Sequence, residues 1–476
     1  MLIIILLKLV CSLIILTQCY NLKAVKAPTL ASVNQRSKMS KNRVLAWSFV
    51  VALGGFLFGF DTAVISGAEK AVQAYWHLTG FEHGLTMAIA LIGTVLGAAL
   101  GAWPSDKIGR KNTLFIVAAL YFFSALGTAL AQEWFVFILF RFLGGIGVGI
   151  SSVTAPIYIS EISPAKSRGK LVGLFQFNVV LGILIAYLSN YLIGQGGEHA
   201  WRWMLGVQAA PALLFFIFIF FVPESPRWLL LHRQDSEAAV QILKRINATN
   251  YQQEVALIIA AHKKTEENQH SVRLFSKAYR TPVILAMLFA VFNQVSGINA
   301  IIYYAPRVFE MAGLGTQSSL LSTVGIGLVN FTFTLLALSF IDKVGRRKLM
   351  LIGSFGLIAS LSLVSLSFYL GHTQGFMITF YLMLYIAFFA FSQGAVIWVF
   401  ISEIFPNEVR AKGQTLGSLT HWVMAAIITF CFPALTEFLG GANTFLIFAG
   451  FMLLQLWFVW KMMPETKGRT LEEMES

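Results

Sequence analysis

Two groups of polar side chains stand out because they interrupt long apolar stretches. The first is ionic. Asp61 lies in Gly59-Phe-Asp61-Thr62, and Arg141 opens the run Arg141-Phe-Leu-Gly-Gly145. Burial favours the neutral form of a carboxyl group and a nearby cation favours its charged form. A carboxylate that moves relative to a guanidinium therefore takes up and releases a proton. The plainer alternative is a static ion pair, or an arginine reaching back to a polar interface. The second group is neutral: Gln176, Asn293, Gln294, Asn299, Asn330, Trp398, His421 and Trp422. An amide offers an acceptor and a donor, and an indole offers an apolar face with an N–H at its edge. Together they suit a neutral ligand. A lone amide in a membrane helix can instead tie helices together, and a tryptophan near a helix end can anchor at the interface.

These residues belong to a chain of 476 residues that is 57% hydrophobic and only 12% charged. Soluble domains carry about 25% charged residues, so a soluble enzyme, a disordered chain and a nucleic-acid binder are excluded. Cys11, Cys19 and Cys431 have neither disulfide nor metal spacing. Of eight histidines only His421 lies well inside an apolar segment, and no Ser/His/Asp or metal-ligand set accompanies it. An enzyme, a cofactor, a metal and an obligate protein partner are not expected.

Twelve apolar segments can be read: 44–66, 84–103, 113–131, 135–158, 171–193, 204–222, 283–304, 319–340, 349–370, 376–400, 414–438 and 444–462. Each is about long enough to cross a bilayer as a helix. The class is an all-α membrane protein. Loops after even-numbered segments carry Lys107, Arg110 and Lys111; Lys166, Arg168 and Lys170; the stretch Arg227 to Arg280; Lys343, Arg346, Arg347 and Lys348; and Arg410 with Lys412. Loops after odd-numbered segments carry only Lys70, Arg202 and Arg307. Basic residues favour the cytoplasmic side. The expectation is a multi-pass protein of the cell membrane with both termini cytoplasmic, and the net charge of +13 is mostly this bias.

Residues 1–38 precede this plan. Met1–Tyr20 is apolar with Lys8 inside it and resembles a signal-peptide core. A chain with its first span near Val44 does not need one, so Met39 is read as the natural start and 1–38 as dispensable. Residues 223–280 form a linker in which Ser236–Ile246 and Tyr251–Ala261 are expected as short amphipathic helices. The linker separates a six-span half, 39–222, from a second, 281–463, with 464–476 as a cytoplasmic tail.

The halves repeat one another. Asp106-Lys-Ile-Gly-Arg-Lys111 recurs as Asp342-Lys-Val-Gly-Arg-Arg347. Ser160-Glu161-Ile-Ser-Pro164 with Arg168 recurs as Ser402-Glu403-Ile-Phe-Pro406 with Arg410, and Pro223-Glu224-Ser225 as Pro464-Glu465-Thr466. The offsets are 236, 242 and 241 residues, which indicates a parallel duplication. Two parallel six-helix halves with a site between them is the plan of the major facilitator fold.

With Pro223-Glu-Ser-Pro-Arg-Trp-Leu229, Asn293-Gln294-Val-Ser-Gly297-Ile-Asn299, Tyr303-Tyr304 and Pro464-Glu-Thr-Lys-Gly468, the ordered set resembles the sugar porter family. That family includes xylose, arabinose and galactose proton symporters and facilitative glucose carriers. The resemblance runs from Met39 to the C-terminus. It implies a monosaccharide as cargo, a proton as co-substrate, and sugar contacts by Gln176, Asn293, Gln294, Asn299, Asn330 and Trp398, with His421 and Trp422 beside them. Hydroxyls that donate and accept match amides, and unpaired buried amides select for such a ligand. Gln294 and Asn299 are five apart, so both face inward only if the span unwinds near Gly297. The resemblance also implies a proton site at Asp61, the sole carboxylate read as deep in a span, with Arg141 as its partner. It further implies a cytoplasmic gate of salt bridges from Arg110, Glu161, Arg168, Glu224, Arg346, Glu403, Arg410 and Glu465.

Some positions depart from the family. Asn293 stands where xylose and glucose carriers have Gln, His421 where the xylose symporter has Gln, and Gln208 where it has Glu. Ile183 is polar in the xylose symporter and apolar in glucose carriers. Gly394-Ala395 replaces the usual Gly-Pro, which removes the expected cause of a hinge in span 10. A facilitative uniporter is the alternative. A sugar sensor on the same scaffold would carry a long cytoplasmic tail, and only a dozen or so residues follow Met463.

Overall fold

The computed structural model describes residues 30–164, 167–246, 250–268, 274–371, 375–406 and 408–467. Residues 1–29 of the expected extension and 468–476 of the expected tail lie outside the described residues. Among the described residues the regular structure is entirely helical.

The first spans are α1 (Leu30–Tyr75), α2 (Gly80–Leu100), α4 (Arg110–Leu130), α5 (Trp134–Ile162) and α6 (Arg168–Ile193), with the short α3 (Ala102–Ile108) between α2 and α4. The sixth span is the pair α7 (Ala200–Gly206) and α8 (Ala209–Ile219). The linker carries α9 (Pro226–Leu231), α10 (Ser236–Ile246) and α11 (Tyr251–Asn268). Two of these are the expected amphipathic helices. The third, α9, was not expected; Ser225 caps it and Pro226 occupies its first turn, a pairing suited to helix initiation.

The later spans are α12 (Arg280–Val295) with α13 (Ile298–Met311), then α14 (Thr316–Val344), α15 (Arg346–Tyr369), α16 (Gly375–Phe391) with α17 (Gln393–Glu403), and α18 (Arg410–Lys461). Among the described residues eleven helical stretches are long and apolar enough to cross a membrane. The twelfth span is inside α18, whose 52 residues at about 1.5 Å each far exceed a bilayer core of about 30 Å. The break is at Gly440, with φ 72° and ψ 166°.

Within the first six spans α1 packs along α6 and α2 along α5. Within the last six, α12 and α15 both pack along α18. The two groups meet where α2 lies on α18, α6 on α14 and α1 on α13.

Candidate functional site

Span 7 is interrupted as the sequence requires. Gly297 separates α12 from α13 with φ 87°, and a Cβ there would stand 2.5 Å from the Phe448 ring. Both the left-handed backbone and the close approach demand glycine. The break turns the two amides toward each other. Asn299 Nδ2 donates to Gln294 Oε1 at 2.5 Å, and Gln294 Nε2 donates to Asn293 Oδ1 at 2.9 Å. Gln294 Nε2 also stands 3.2 Å from both ring nitrogens of His421. The His421 ring lies 4.9 Å from the Trp398 ring and 5.0 Å from Trp422, meeting the latter edge-on. Trp422 faces Phe58 of α1 across 5.5 Å, and Phe58 in turn neighbours Phe175 of α6. Asn293, Gln294, Asn299, Trp398, His421 and Trp422 thus form one cluster, walled on the side of the first spans by phenylalanines.

Gln176 and Asn330 are not bonded into it. Asn330 accepts from Thr334 Oγ1 at 3.5 Å, and among the described residues Gln176 makes no side-chain hydrogen bond. Their helices pack together through Phe177 and Phe331, 5.5 Å apart. Span 10 is kinked after all, at Ser392 rather than at Gly394-Ala395. Ser392 has φ −117° and ψ −91°, its hydroxyl donates to Phe388 O at 2.6 Å, and Asn293 Nδ2 reaches Gln393 O just past the kink at 3.4 Å.

The ionic pair is formed. Arg141 Nη1 donates to Asp61 Oδ1 at 2.9 Å, with both residues buried. Among the described residues Arg141 Nε and Nη2 are buried without a partner. Asp61 is not the sole buried acid of the spans, however. Glu69, eight residues on, is 1% exposed and His83 is fully buried. Both lie outside the apolar segments 44–66 and 84–103, since α1 runs on to Tyr75 and α2 starts at Gly80. An eight-residue spacing, which keeps Asp61 and Glu69 on one helix face, was the available signal.

At the end carrying the basic loops, the repeat produces two copies of one device. Arg110 Nε and Nη2 each reach a Glu161 oxygen at 3.1 Å, while Nη1 donates to Asp106 at 2.9 Å. Arg346 Nε and Nη2 reach Glu403 at 3.0 and 2.7 Å, and Asp342 sits 2.9 Å from Nη2. Glu224 accepts the backbone N–H groups of Arg110, Lys111 and Ser225, and Glu465 accepts those of Arg346, Arg347 and Lys467. Each carboxylate therefore caps the helix that follows its glycine, at its positive end. Gly109 and Gly345 have φ 96° and 97°, and a Cβ on either would meet the carboxylate of Glu224 or Glu465. Burial pushes the Glu224 carboxyl above the usual range, with the three N–H donors opposing it. Arg168 and Arg410 donate to the backbone carbonyls of Ser160 and Phe405. The expected salt bridges are thus Arg110–Glu161 and Arg346–Glu403, and each lies within one group of six spans.

Residues 47–476 match the family described as "Sugar (and other) transporter". The chain belongs to this family. This sugar transporter is 37% identical over 438 residues to the arabinose-proton symporter of Bacillus subtilis (strain 168), covering 91% of this chain and 94% of that one. It is 34% identical over 482 residues to the D-xylose-proton symporter of Escherichia coli (strain K12), covering 92% and 96%. Among solved structures it resembles the inward open conformation of the E. coli xylose transporter XylE, with a TM-score of 0.81 and 34% identity over 91% of this chain and 99% of that one. The fold is accordingly that of the major facilitator transporters, with two parallel six-helix halves, and the protein is a multi-pass membrane transporter and not an enzyme.

The opposite end of the sugar transporter is built differently. There the described arginine and lysine ion pairs cross between the halves. Arg307 Nε donates to Glu69 Oε1 at 2.8 Å, Arg307 also bonds Gln73, and Lys70 pairs with Glu310. Phe81 meets Phe430 at 5.3 Å, and Tyr187 OH donates to Ile302 O at 2.9 Å.

Proposed function

We propose that this transporter imports a monosaccharide, pentose or hexose, with a proton, by alternating access across the cell membrane. The sugar is held by Asn293, Gln294, Asn299, Trp398, His421 and Trp422, with Gln176 and Asn330 contributing from the facing helices. Asp61 carries the proton and Arg141 modulates it. The observation that carries this reading is the buried Asp61–Arg141 pair in one half, separate from the amide and indole cluster in the other. Ionised Asp61 holds Arg141; protonation removes that attraction and lets the helices rearrange. Sugar binding biases the same rearrangement through its own contacts, which links the two ligands thermodynamically. Relatives named for arabinose-proton and xylose-proton symport support the pairing of cargo and co-substrate.

The halves 39–222 and 281–463 move against each other, joined by 223–280, with the tail 464–476 and both termini in the cytoplasm. The clusters of Arg110, Glu161, Arg168 and Glu224 and of Arg346, Glu403, Arg410 and Glu465 brace the cytoplasmic end of each half and form the inner gate when the halves approach there. Residues 1–38 are dispensable.

The test is uptake of labelled pentoses and hexoses into proteoliposomes, with and without a pH gradient, for the unaltered protein and Asp61→Asn. The variant should lose uphill accumulation and keep sugar–sugar counterflow. Uphill accumulation by the variant, or indifference of the unaltered protein to the gradient, overturns the coupling and leaves a facilitative uniporter.

A further inference from the structure

The buried polar groups at the outer end of the halves do work that Asp61 and Arg141 leave unexplained. Glu69 of α1 and His83 of α2 are 1% and 0% exposed, and His83 Nε2 stands 2.9 Å from Glu69 Oε2. The contact lacks hydrogen-bond alignment, so Glu69 Oε2 and both His83 ring nitrogens are buried without a hydrogen-bond partner among the described residues. Such orphaned groups are costly in a closed structure and call for an explanation. The other carboxylate oxygen, Oε1, accepts from Arg307 of α13, which belongs to the opposite half. Arg307 and Glu69 balance each other in charge, which leaves the imidazole as the group whose charge can change without a preassigned counterion.

The neighbours are few and mostly committed. Tyr304 of α13 lies beside the His83 ring at 6.0 Å and sends its hydroxyl to Thr429 O at 3.0 Å. Gln73 is bonded to Arg307, and Lys70 to Glu310. Glu82 is bonded to its own cap, Thr79. Glu437 of α18 lies against Gly80, at the start of α2. Trp134 of α5 is bonded to Thr86, one turn past His83.

We propose that Glu69 and His83 form a second proton-binding site, distinct from Asp61, whose occupancy is tied through Arg307 to the contact between the outer ends of the two halves. A proton shared between Nε2 and Oε2 changes the charge that Glu69 presents to Arg307, and that pair joins α1 to α13. Opening the outer end separates Arg307 from Glu69 and admits water to the imidazole. The proton affinity of the site then differs between closed and open arrangements, and linkage makes their ratio depend on pH. Histidine is the side chain suited to do this between pH 5 and 8.

The experiment uses the full chain in lipid nanodiscs, with Cys11, Cys19 and Cys431 replaced by serine. Spin labels are placed on cysteines introduced at the exposed positions Glu133 and Ser318, one in each half. Inter-label distances are measured from pH 5 to pH 8 without sugar. The ratio of long to short distances should change with pH, by at most about tenfold per pH unit for one proton. With Asp61→Asn as the background, so that Asp61 itself takes up no proton, the ratio should still change with pH, and it should be flat when Glu69→Gln or His83→Gln is added. Either of these two replacements suffices if the other fails to fold. A pH response that survives in both, that disappears in Asp61→Asn instead, or that is missing from the starting protein overturns the proposal. Because no sugar or gradient is used, failure of the transport reading leaves this outcome unaffected.

Discussion

The two halves of this transporter solve the problem of buried polarity in opposite ways. The first half buries a full charge pair and, among the described residues, leaves two guanidinium nitrogens without partners. The last half buries amides that bond one another, so that Asn299 serves Gln294 and Gln294 serves Asn293. An ion pair of the first kind costs about 3–5 kcal/mol when one partner is removed. An amide exchange of the second kind changes the balance by only about 0.5–1.5 kcal/mol per bond. The charged half is therefore suited to a stiff, two-position element. The amide half is suited to trading its internal bonds for those of a neutral ligand at small net cost.

The strongest way to break this contrast is Arg141→Gln. It leaves Asp61 buried without a cation and should lower stability by about 3–5 kcal/mol, read as a fall in the thermal unfolding temperature of the purified protein. A change below about 1 kcal/mol would show the pair to be solvated and the halves to be alike. On the amide side, Trp398→Ala should weaken sugar binding by about tenfold, since an aromatic contact of about 0.5–1.5 kcal/mol is lost together with ring area. Calorimetry at fixed pH measures it, and unchanged affinity would remove the indole from the site. Gln294→Ala and Asn299→Ala should each weaken binding by roughly 2–10-fold with little loss of stability; a large stability loss would mean that the amides tie helices rather than read sugar. The smallest effect is that of His421→Gln, which should alter the ranking among pentoses and hexoses in a competition assay while leaving total uptake within about twofold. An unchanged ranking would place His421 outside the sugar's reach.

The cluster around Gly297 was legible because it is local. Asn293, Gln294, Gly297 and Asn299 are written within seven residues, and a glycine between amides announces an interrupted helix. The repeated charged loops were legible for the same reason, each being a short motif seen twice. Asp61 and Arg141 could be matched over 80 residues because each is alone in an apolar setting. The Glu69, His83 and Arg307 cluster was legible only through the eight-residue spacing of Glu69 from Asp61. Its members sit where hydropathy fades at span ends, and hydropathy alone does not say how far a helix continues past its apolar stretch. The kink at Ser392 was also hidden, since it arises without proline, through a side-chain hydroxyl that returns to Phe388 O. Residues such as Gln176 and Asn330 follow from residue type and the family resemblance, and their distance from the amide cluster depends on how α6 and α14 are set against the rest.

One further consequence lies in the turn at Gly440. The backbone there takes a conformation open essentially to glycine alone, and a Cβ would meet nothing within 4 Å. The reversal between the last two spans thus turns on that residue's torsion angles, with Thr444 Oγ1 donating to its carbonyl at 2.8 Å. It also consumes almost no chain, so this corner, at the end away from the basic loops, presents a bare helical elbow: a poor foothold for a protease or an antibody, and an unsuitable place to graft a tag.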